Sequence, residues 1–404
     1  MKKKVLVIGY GVSGRAAAAF LIQQGYNVVV VDKKKSLGVL PDSDDIPLDG
    51  ISQVILSPGV PPTHPLVQKA LKQNIEVIGE IELGFRNMRN RCFGVTGANG
   101  KTTTVLLTTH ILNSAGKKAR ALGNVGDSLT GYLIDADPEE ILVIELSSFQ
   151  LETLHVRCLE AAIVLNITPN HLDRYPNMEA YAEAKARIQE CGKTYVSNQV
   201  KEEFGTLFKQ AELFEKEVDL LNHLSYTQLG MPSKQSVQAA YLICARCGVT
   251  NDDFLRGVKS FRKPPHRIEW VAEIDGVSYY NDSKSSNIHS VMHAVERFPG
   301  PLVLIIGGVH KGSSYLPWAK SFNGKVRAIV AYGEAAPIME KELAALFPFQ
   351  RVEKFAEAVE RARREAKVKE TVLLSPGCSS YDQFQSYEHR GEEFKRLVKE
   401  REMK

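Results

Sequence analysis

Residues 94–104 read Gly-Val-Thr-Gly-Ala-Asn-Gly-Lys-Thr-Thr-Thr, between a charged segment ending at Arg91 and an apolar run over 105–112. A short strand, a glycine-rich turn and a helix start make a cradle for polyphosphate. Backbone N–H groups of the turn point inward, and the helix N-terminus adds partial positive charge. Lys101 is placed to reach the β- and γ-phosphates, and the hydroxyl of Thr102 or Thr103 to ligate Mg²⁺. Gly94 stands one position too early for the strict G-x-x-x-x-G-K-[ST] spacing, so the fitting core is Thr96, Gly97, Ala98, Asn99, Gly100, Lys101, Thr102 and Thr103. A plain glycine-rich turn of an α/β protein is the alternative. The Gly-Lys-Thr-Thr-Thr helix start favours nucleotide.

The same strand–loop–helix pattern recurs on both sides of this stretch. Upstream, strands are expected at 5–8, 28–31, 53–56 and 76–78, with helices at 15–24 and 66–73. Around the phosphate loop, strands are expected at 93–96, 141–146 and 162–165. Helices there are expected at 102–115, 178–190, 236–247 and 251–260. Residues 199–235 are polar and weakly periodic. Lys263-Pro-Pro265 reads as a linker, because two prolines cannot continue a helix. Beyond it, strands are expected at 277–281, 302–306, 328–331 and 371–374, and a last helix at 391–399. The fold class is therefore α/β with three domains, at 1–90, 91–263 and 264–404.

Bulk properties exclude several classes. The 404 residues are 44% hydrophobic and 24% charged, ordinary for a globular protein. The net charge of +4 comes from scattered Lys and Arg, so no nucleic-acid surface is expected. The six cysteines are unpatterned and suit free thiols in a reducing compartment. Cys244 and Cys247 form a C-x-x-C without a second pair, inside an Ala-rich helical run, and read as structural. The apolar run after the N-terminal lysines breaks at Gly9, and no apolar stretch approaches the ~18 residues of a membrane span. A cytoplasmic protein is expected.

Other loops at strand ends carry the chemistry. Gly9-x-Gly11-x-x-Gly14, with Asp32 ending the next strand, lets a diphosphate approach the backbone and an acid meet a ribose or polar ring. Alone it suits NAD as well as a UDP-sugar. Ser57-Pro-Gly59 adds a second loop at that rim. Glu145 ends a strand beside the phosphate loop, where hard cations find oxygen ligands. Asn170-His171 follows the next strand, and metal or phosphate contact is favoured there over a solvated turn. Lys185 lies on the following helix and, taken alone, reads as a solvated charge. Asp282 sits where strand passes to helix and could cap that helix. Gly307-Gly308-Val309-His310-Lys311 and Ser375 to Ser380 occupy equivalent positions, so three loops share one rim. His289 and His293, one helical turn apart, read as structural or surface residues.

Jointly, these motifs resemble the Mur ligases, ATP-dependent amide-bond formers of peptidoglycan precursor synthesis. The resemblance covers nearly the whole chain. Thr96-Gly-Ala-Asn-Gly-Lys-Thr-Thr is similar to the family's ATP loop and Glu145-Leu-Ser-Ser-Phe-Gln to its Mg²⁺ strand. Asn170-His-Leu-Asp-Arg-Tyr-Pro176 resembles its His loop, and Ala184-Lys185 falls where the family carries a carbamylated lysine. Asp282-Ser-Lys-Ser-Ser-Asn287 and Ser375-Pro-Gly-Cys-Ser-Ser-Tyr-Asp-Gln-Phe384 are similar to loops of the D-glutamate-adding branch. Val309 departs from that branch, which has Asp there, and Asn170 stands where an acid is common.

The resemblance implies a Rossmann-like UDP-binding domain, a central P-loop ATPase-like domain and a C-terminal Rossmann-like domain. It implies ATP, Mg²⁺, UDP-N-acetylmuramoyl-L-alanine and D-glutamate as ligands. Lys101, Glu145, His171 and Lys185 are then catalytic, with Thr102, Glu145, His171 and carbamylated Lys185 at the metal. Gly11, Val12, Ser13, Asp32, Ser57, Gly59, Asn124 and Gly126 would hold the UDP substrate. Lys284, Ser286, Lys311, Ser380 and Tyr387 would hold D-glutamate, and Arg267 and Asp282 would serve the nucleotide from the third domain. A monomer is expected. Two other classes remain: an NAD(P) oxidoreductase, which leaves the ATP loop unexplained, and a non-catalytic sensor of UDP-linked precursors, against which the intact Lys101–Glu145–His171–Lys185 set argues.

Overall fold

The computed structural model describes residues 3–400 apart from 34–37, 44, 173, 216–218, 223, 225, 227–230 and 323. Asp173 of the His171 loop and part of the 199–235 stretch thus lie outside the described residues. The chain forms two compact units. The first comprises Met1–Ile167, Glu179–His223 and Ser233–Phe261, and the second Thr168–Met178, Leu224–Pro232 and Arg262–Lys404.

The first unit contains two parallel sheets. Strands β1 (Lys4–Ile8), β2 (Asn27–Asp32), β3 (Leu40–Pro41), β4 (Ile51–Leu56) and β5 (Glu76–Gly79) lie in the order β3-β2-β1-β4-β5. The first crossover runs from β1 to β2 on one side, while β4 pairs on the other. Loops after β1 and β4 therefore meet at a point where strand order reverses, the usual ligand crevice of such sheets. Strands β6 (Cys92–Thr96), β7 (Ala119–Gly123), β8 (Ile141–Glu145), β9 (Leu159–Val164), β10 (Gly192–Val196) and β11 (Glu212–Leu213) lie in the order β11-β10-β9-β6-β8-β7. β6, β8 and most of β9 are buried on both faces, hence their unbroken apolar runs.

The two sheets of this unit are joined by the helix Glu80–Arg86, whose residues 80–85 are all buried. Glu80 Oε1 accepts from Thr130 N at 2.8 Å and Thr130 Oγ1 at 2.7 Å. Glu82 Oε2 accepts from His155 N at 2.8 Å and Val156 N at 3.1 Å. These buried acids satisfy donors of the neighbouring sheet's loops.

In the second unit, β12 (Glu269–Ile274) and β13 (Val277–Asn281) form an antiparallel hairpin. Asp275 and Gly276 form its two-residue turn, with φ of 54° and 74°. Strands β14 (Leu302–Gly307), β15 (Val326–Tyr332), β16 (Phe349–Val352) and β17 (Thr371–Gly377) complete the order β12-β13-β17-β14-β15-β16. Apolar clusters fill both faces of this sheet: Trp318, Phe322 and Met339 on one, and Tyr332, Phe355 and Phe394 on the other.

The expected strands are present, and β3, β7, β10, β11, β12 and β16 were not anticipated. β7 reads Ala-Arg-Ala-Leu-Gly and is only partly buried, so it carries neither an apolar run nor a clean alternation. The helix expected over 178–190 stops at Ala186 and resumes at Ile188–Cys191. The helix expected from residue 15 starts at Val12, directly after Gly11.

Candidate active site

The phosphate loop leaves β6 at its C-terminal end. Gly97 has φ of 149° and Gly100 of 83°, and Gly100 precedes the helix Lys101–Ser114 without a side-chain cap. Only glycine adopts such backbone angles without strain. Lys101 Nζ donates to the carbonyl oxygens of Gly97 at 2.8 Å and Ala98 at 3.2 Å. The turn does not aim all its amides inward. Ala98 N donates to Asn166 O at 2.9 Å and Asn99 N to Asn166 Oδ1 at 2.8 Å. The reason is that β6 and β9 are paired up to Thr96 and Val164, so the two chains continue side by side past the strand ends. Thr102 is half-buried and Thr103 buried at the helix start.

Glu145 is brought beside this loop by register, since Val95 pairs with Glu145 across β6 and β8. It is 2% exposed. Its Oε1 accepts from Asn124 Nδ2 at 2.8 Å, while its buried Oε2 has no hydrogen-bond partner. A buried carboxylate oxygen without a donor is costly, and a hard cation is the ligand whose chemistry resolves it. The donor set thus fits Mg²⁺. Gly123 and Gly126 admit the turn that presents Asn124: a Cβ on them would stand 2.4 Å from Glu145 O and 2.5 Å from Ala121 O, respectively.

Lys185 is not the solvated charge that its sequence position alone suggests. The helix Met178–Ala186 turns Tyr181, Ala182, Ala184 and Lys185 inward, and Lys185 is 1% exposed. Its Nζ donates to Gly97 O at 3.1 Å and Thr96 Oγ1 at 3.4 Å, and lies 4.6 Å from the Tyr181 ring centroid. Burial, and then the neighbouring Lys101 charge, push its amine well below the usual lysine range, with Glu145 opposing them. Lys101, Glu145 and Lys185 therefore converge.

At the first sheet, Tyr10 N donates to Asp32 Oδ2 at 2.6 Å, and Ser57 Oγ donates to Gly9 O at 2.8 Å. The second bond ties the loop after β4 to the loop after β1. A Cβ on Gly14 would stand 1.8 Å from Gly9 O, so the helix approaches the strand closely only with glycine there. Gly11, Val12 and Ser13 form the helix start, and Gly59 is exposed on the partner loop.

In the second unit, β13, β17 and β14 are neighbours, so the loops following them share one rim. Asp282 does not cap the next helix. Asn287 does, with its side chain accepting from Ser290 N. Asp282 is instead buried, accepting from Ser375 Oγ at 2.8 Å, from Ile268 N at 3.2 Å and from Ser285 Oγ. Burial pushes its carboxyl up to about 6, against these bonds and the nearby Arg267 charge. Desolvation, and then the neighbouring Arg297 charge, push the half-buried Lys263 down to about 8. Lys284 Nζ lies 3.8 Å from the Tyr387 ring centroid. Ser286 is half-buried on the same loop, and Ser380 is buried on the loop after β17. Val309 N donates to Ser379 O at 2.9 Å, so the position where an acid was expected joins two rim loops through its backbone.

His171, with φ of 57°, belongs to the second unit. There it lines a small cleft with Asn170, Asn287, Lys311 and Ser313. The buried Asn170 Oδ1 has no partner. Among the described residues, no three His, Cys, Asp or Glu side chains cluster closely enough to hold a metal by themselves.

Arg390 carries no mark in the sequence. It is fully buried and donates to Ser283 Oγ at 2.9 Å, Ser283 O at 2.8 Å and Cys378 O at 3.3 Å. It thereby joins the loops after β13 and β17. On a charged helix nothing separates it from solvated arginines, except its place three residues after Tyr387, on the same helical face.

Comparison with known proteins places the family of the chain. Residues 3–79 match a Mur ligase MurD-like N-terminal domain, 95–218 a Mur ligase middle domain, and 266–378 a Mur ligase glutamate ligase domain. The chain is 44% identical to the UDP-N-acetylmuramoylalanine–D-glutamate ligase of Protochlamydia amoebophila, covering 98% of both chains. It is 34% identical to that of Chlamydia pneumoniae, covering 99% of both. Among solved structures, the MurF ligase of Thermotoga maritima in complex with ADP superposes with a TM-score of 0.62 at 16% identity, over 99% of this chain and 96% of that one. UDP-N-acetylmuramate-alanine ligase from the same organism gives 0.60 at 18% identity, over 99% and 100%.

Proposed function

Since the chain belongs to the Mur ligase family, we propose that it joins D-glutamate to UDP-N-acetylmuramoyl-L-alanine at the expense of ATP, in peptidoglycan precursor synthesis. The observation that carries the reading is the adjacency of the Gly97–Lys101 loop and the unpartnered Glu145 oxygen at neighbouring strand ends. That pairing suits a nucleoside triphosphate with its cation. The names of the relatives that match over the full chain supply the substrates.

In this reading, the substrate carboxylate oxygen attacks the γ-phosphorus and the bond to the β-bridging oxygen breaks, giving an acyl phosphate and ADP. The neutral amine of D-glutamate then attacks the acyl carbon, phosphate leaves, and the amine's surplus proton passes to solvent. Both steps gather negative charge on oxygens, so fixed cations and N–H donors supply most of the stabilisation. Lys101 leaves its loop carbonyls to meet the transferring phosphoryl group. Mg²⁺, when bound, neutralises phosphate oxygens, with Glu145 and Thr102 as its holders and Asn124 fixing Glu145. Lys185 contributes as a carbamate: its suppressed basicity leaves a neutral amine able to take up CO₂. The family resemblance gives His171, on its own loop, a role at the metal as well.

Gly11, Val12, Ser13, Asp32, Ser57 and Gly59 receive the UDP portion, with Asn124 and Gly126 toward the sugar. Lys284, Ser286, Lys311, Ser380 and Tyr387 receive D-glutamate, whose two carboxylates suit two lysines. Arg267 and Asp282 serve the nucleotide. We assign the domains to residues 1–90, 91–263 and 264–404, and take the enzyme to act as a cytoplasmic monomer. Among the described residues, no helix is long and apolar enough to cross a membrane.

Phosphate release with UDP-N-acetylmuramoyl-L-alanine, ATP, Mg²⁺ and a panel of amino acids tests the reading. D-glutamate should be required. Equal turnover with L-alanine, L-lysine or diaminopimelate would reassign the acceptor, and no release with any of them would sink the ligase reading.

A further inference from the structure

We propose that Asn166 is the positioning residue of the phosphate loop, and that Gln235 and Glu215 fix the orientation of its amide. The inference rests on reading residues 96–103 as the ATP loop. Leu165 N donates to Thr96 O at 3.0 Å, and Ala98 N to Asn166 O at 2.9 Å, so strand-like pairing runs into the loop. The Asn166 side chain then continues it. Its Oδ1 accepts from Asn99 N at 2.8 Å and its Nδ2 donates to Asn99 O at 3.1 Å. One amide thus closes both main-chain groups of Asn99, as a neighbouring strand would.

An amide does this in only one of its two flips. Asn166 Nδ2 also donates to Gln235 Oε1 at 2.9 Å, and Gln235 Nε2 donates to Glu215 Oε1 at 3.0 Å. The other Glu215 oxygen accepts from Asn198 N at 2.7 Å, at the start of the helix Asn198–Phe204. A carboxylate only accepts, so Glu215 forces the amide nitrogen of Gln235 toward itself and the oxygen toward Asn166. That in turn directs Asn166 Oδ1 to the Asn99 N–H. The loop has little slack to find another fit: a Cβ on Gly97 would stand 3.1 Å from Leu165 Cβ and 3.3 Å from Asn166 N. The loop carbonyls that hold Lys101 and Lys185 belong to Gly97 and Ala98, next to Asn99. Their direction therefore depends on Asn166, which itself need touch no substrate.

The test uses the full-length enzyme. Asn166→Ala should raise the Kd and KM for ATP by about 10- to 100-fold, the scale for an ångström-sized misplacement. KM for the UDP substrate and for the amino acid should stay within about twofold. Gln235→Glu, which sets an acceptor against Glu215, should give the same ATP-selective loss. Combining it with Glu215→Gln restores the donor–acceptor order with roles exchanged and should recover most of the ATP affinity. ATP affinity unchanged in Asn166→Ala, or a double variant no better than Gln235→Glu alone, would overturn the proposal. So would a uniform rise in all three KM values together with a lower melting temperature, which marks general loosening. Lys101→Ala is the control arm: if it leaves ATP binding and turnover intact, the ATP-loop reading fails and this inference falls with it. If it abolishes turnover while Asn166→Ala has no effect, only the inference fails.

Discussion

Lys101 and Lys185 share one acceptor, the carbonyl oxygen of Gly97, at 2.8 and 3.1 Å. Burial, and then repulsion from the Lys101 ammonium on the same oxygen, holds Lys185 toward its neutral form. The phosphate loop and the lysine proposed to carry a carbamate are therefore parts of one hydrogen-bonded unit.

Lys185→Ala should lose most activity and regain part of it with added acetate, because a small carboxylate can replace the carbamate. Steady-state rates with and without acetate check this. Full activity without acetate would remove Lys185 from the mechanism. Lys101→Ala should lower kcat by roughly 10²- to 10³-fold, the loss seen when one preorganised electrostatic partner is removed, and acetate should not rescue it.

At the neighbouring strand end, the two Glu145 oxygens have distinct tasks. Asn124→Ala frees the Oε1 side, and should raise the Mg²⁺ concentration for half-maximal rate by about 10-fold or more, as for other residues that orient a metal ligand. Glu145→Gln should abolish turnover at any Mg²⁺ concentration. Both are read from Mg²⁺ titrations at saturating ATP, and an unchanged midpoint in Asn124→Ala would separate Asn124 from the cation.

Asp282 should leave a signature in stability against pH. Its carboxyl is raised from 3.8 to about 6 by burial, so the fold favours the protonated form. Its contribution is fully present below about pH 4 and is lost as pH rises toward 6. The amount is about 3 kcal/mol, at 1.36 kcal/mol per unit. Denaturant melts of wild type and Asp282→Asn, the neutral mimic of the protonated acid, should lie close together near pH 4 and separate as the pH rises to 7, with the wild type losing stability and the variant not. Parallel curves would show that Asp282 does not titrate in this window.

Glu80 offers a test of the junction between the first two sheets. Glu80→Ala strands two buried Thr130 donors and opens a cavity, at a cost of about 2–4 kcal/mol. Glu80→Gln keeps an acceptor for both while removing a buried charge whose ionisation burial opposes. It should be as stable as wild type at neutral pH, or more so. Equal destabilisation by both variants would mean that the charge itself is needed.

Most of the sheet framework was readable because strands buried on both faces write themselves as apolar runs, as in 5–8, 141–145 and 302–306. Edge strands were not. The strand β12 interleaves Glu269, Trp270 and Glu273 with its apolar residues, so only β13 of that hairpin was expected. At the site, glycines and lysines in the loops could be located because their spacing is local. Burial is not local: nothing near Lys185 in the sequence announces that its helix faces inward, and nothing distinguishes Arg390 from the exposed charges around it. Asn166 was visible as a strand-end residue, but its partners Gln235 and Glu215 come from the stretch with the weakest periodicity.

Arg390 bears on how freely the rim formed by the loops after β13 and β17 can change. It grips Ser283 and Cys378 mainly through their main-chain oxygens. A hold on the backbone is indifferent to the side chains that the two loops display. Rim residues outside the buried Asp282–Ser285–Ser375 cluster can therefore be exchanged while Arg390 keeps the loops' spacing. On the proposed reading of these loops as the amino-acid site, that makes them a natural place to diversify, in evolution or in a selection experiment.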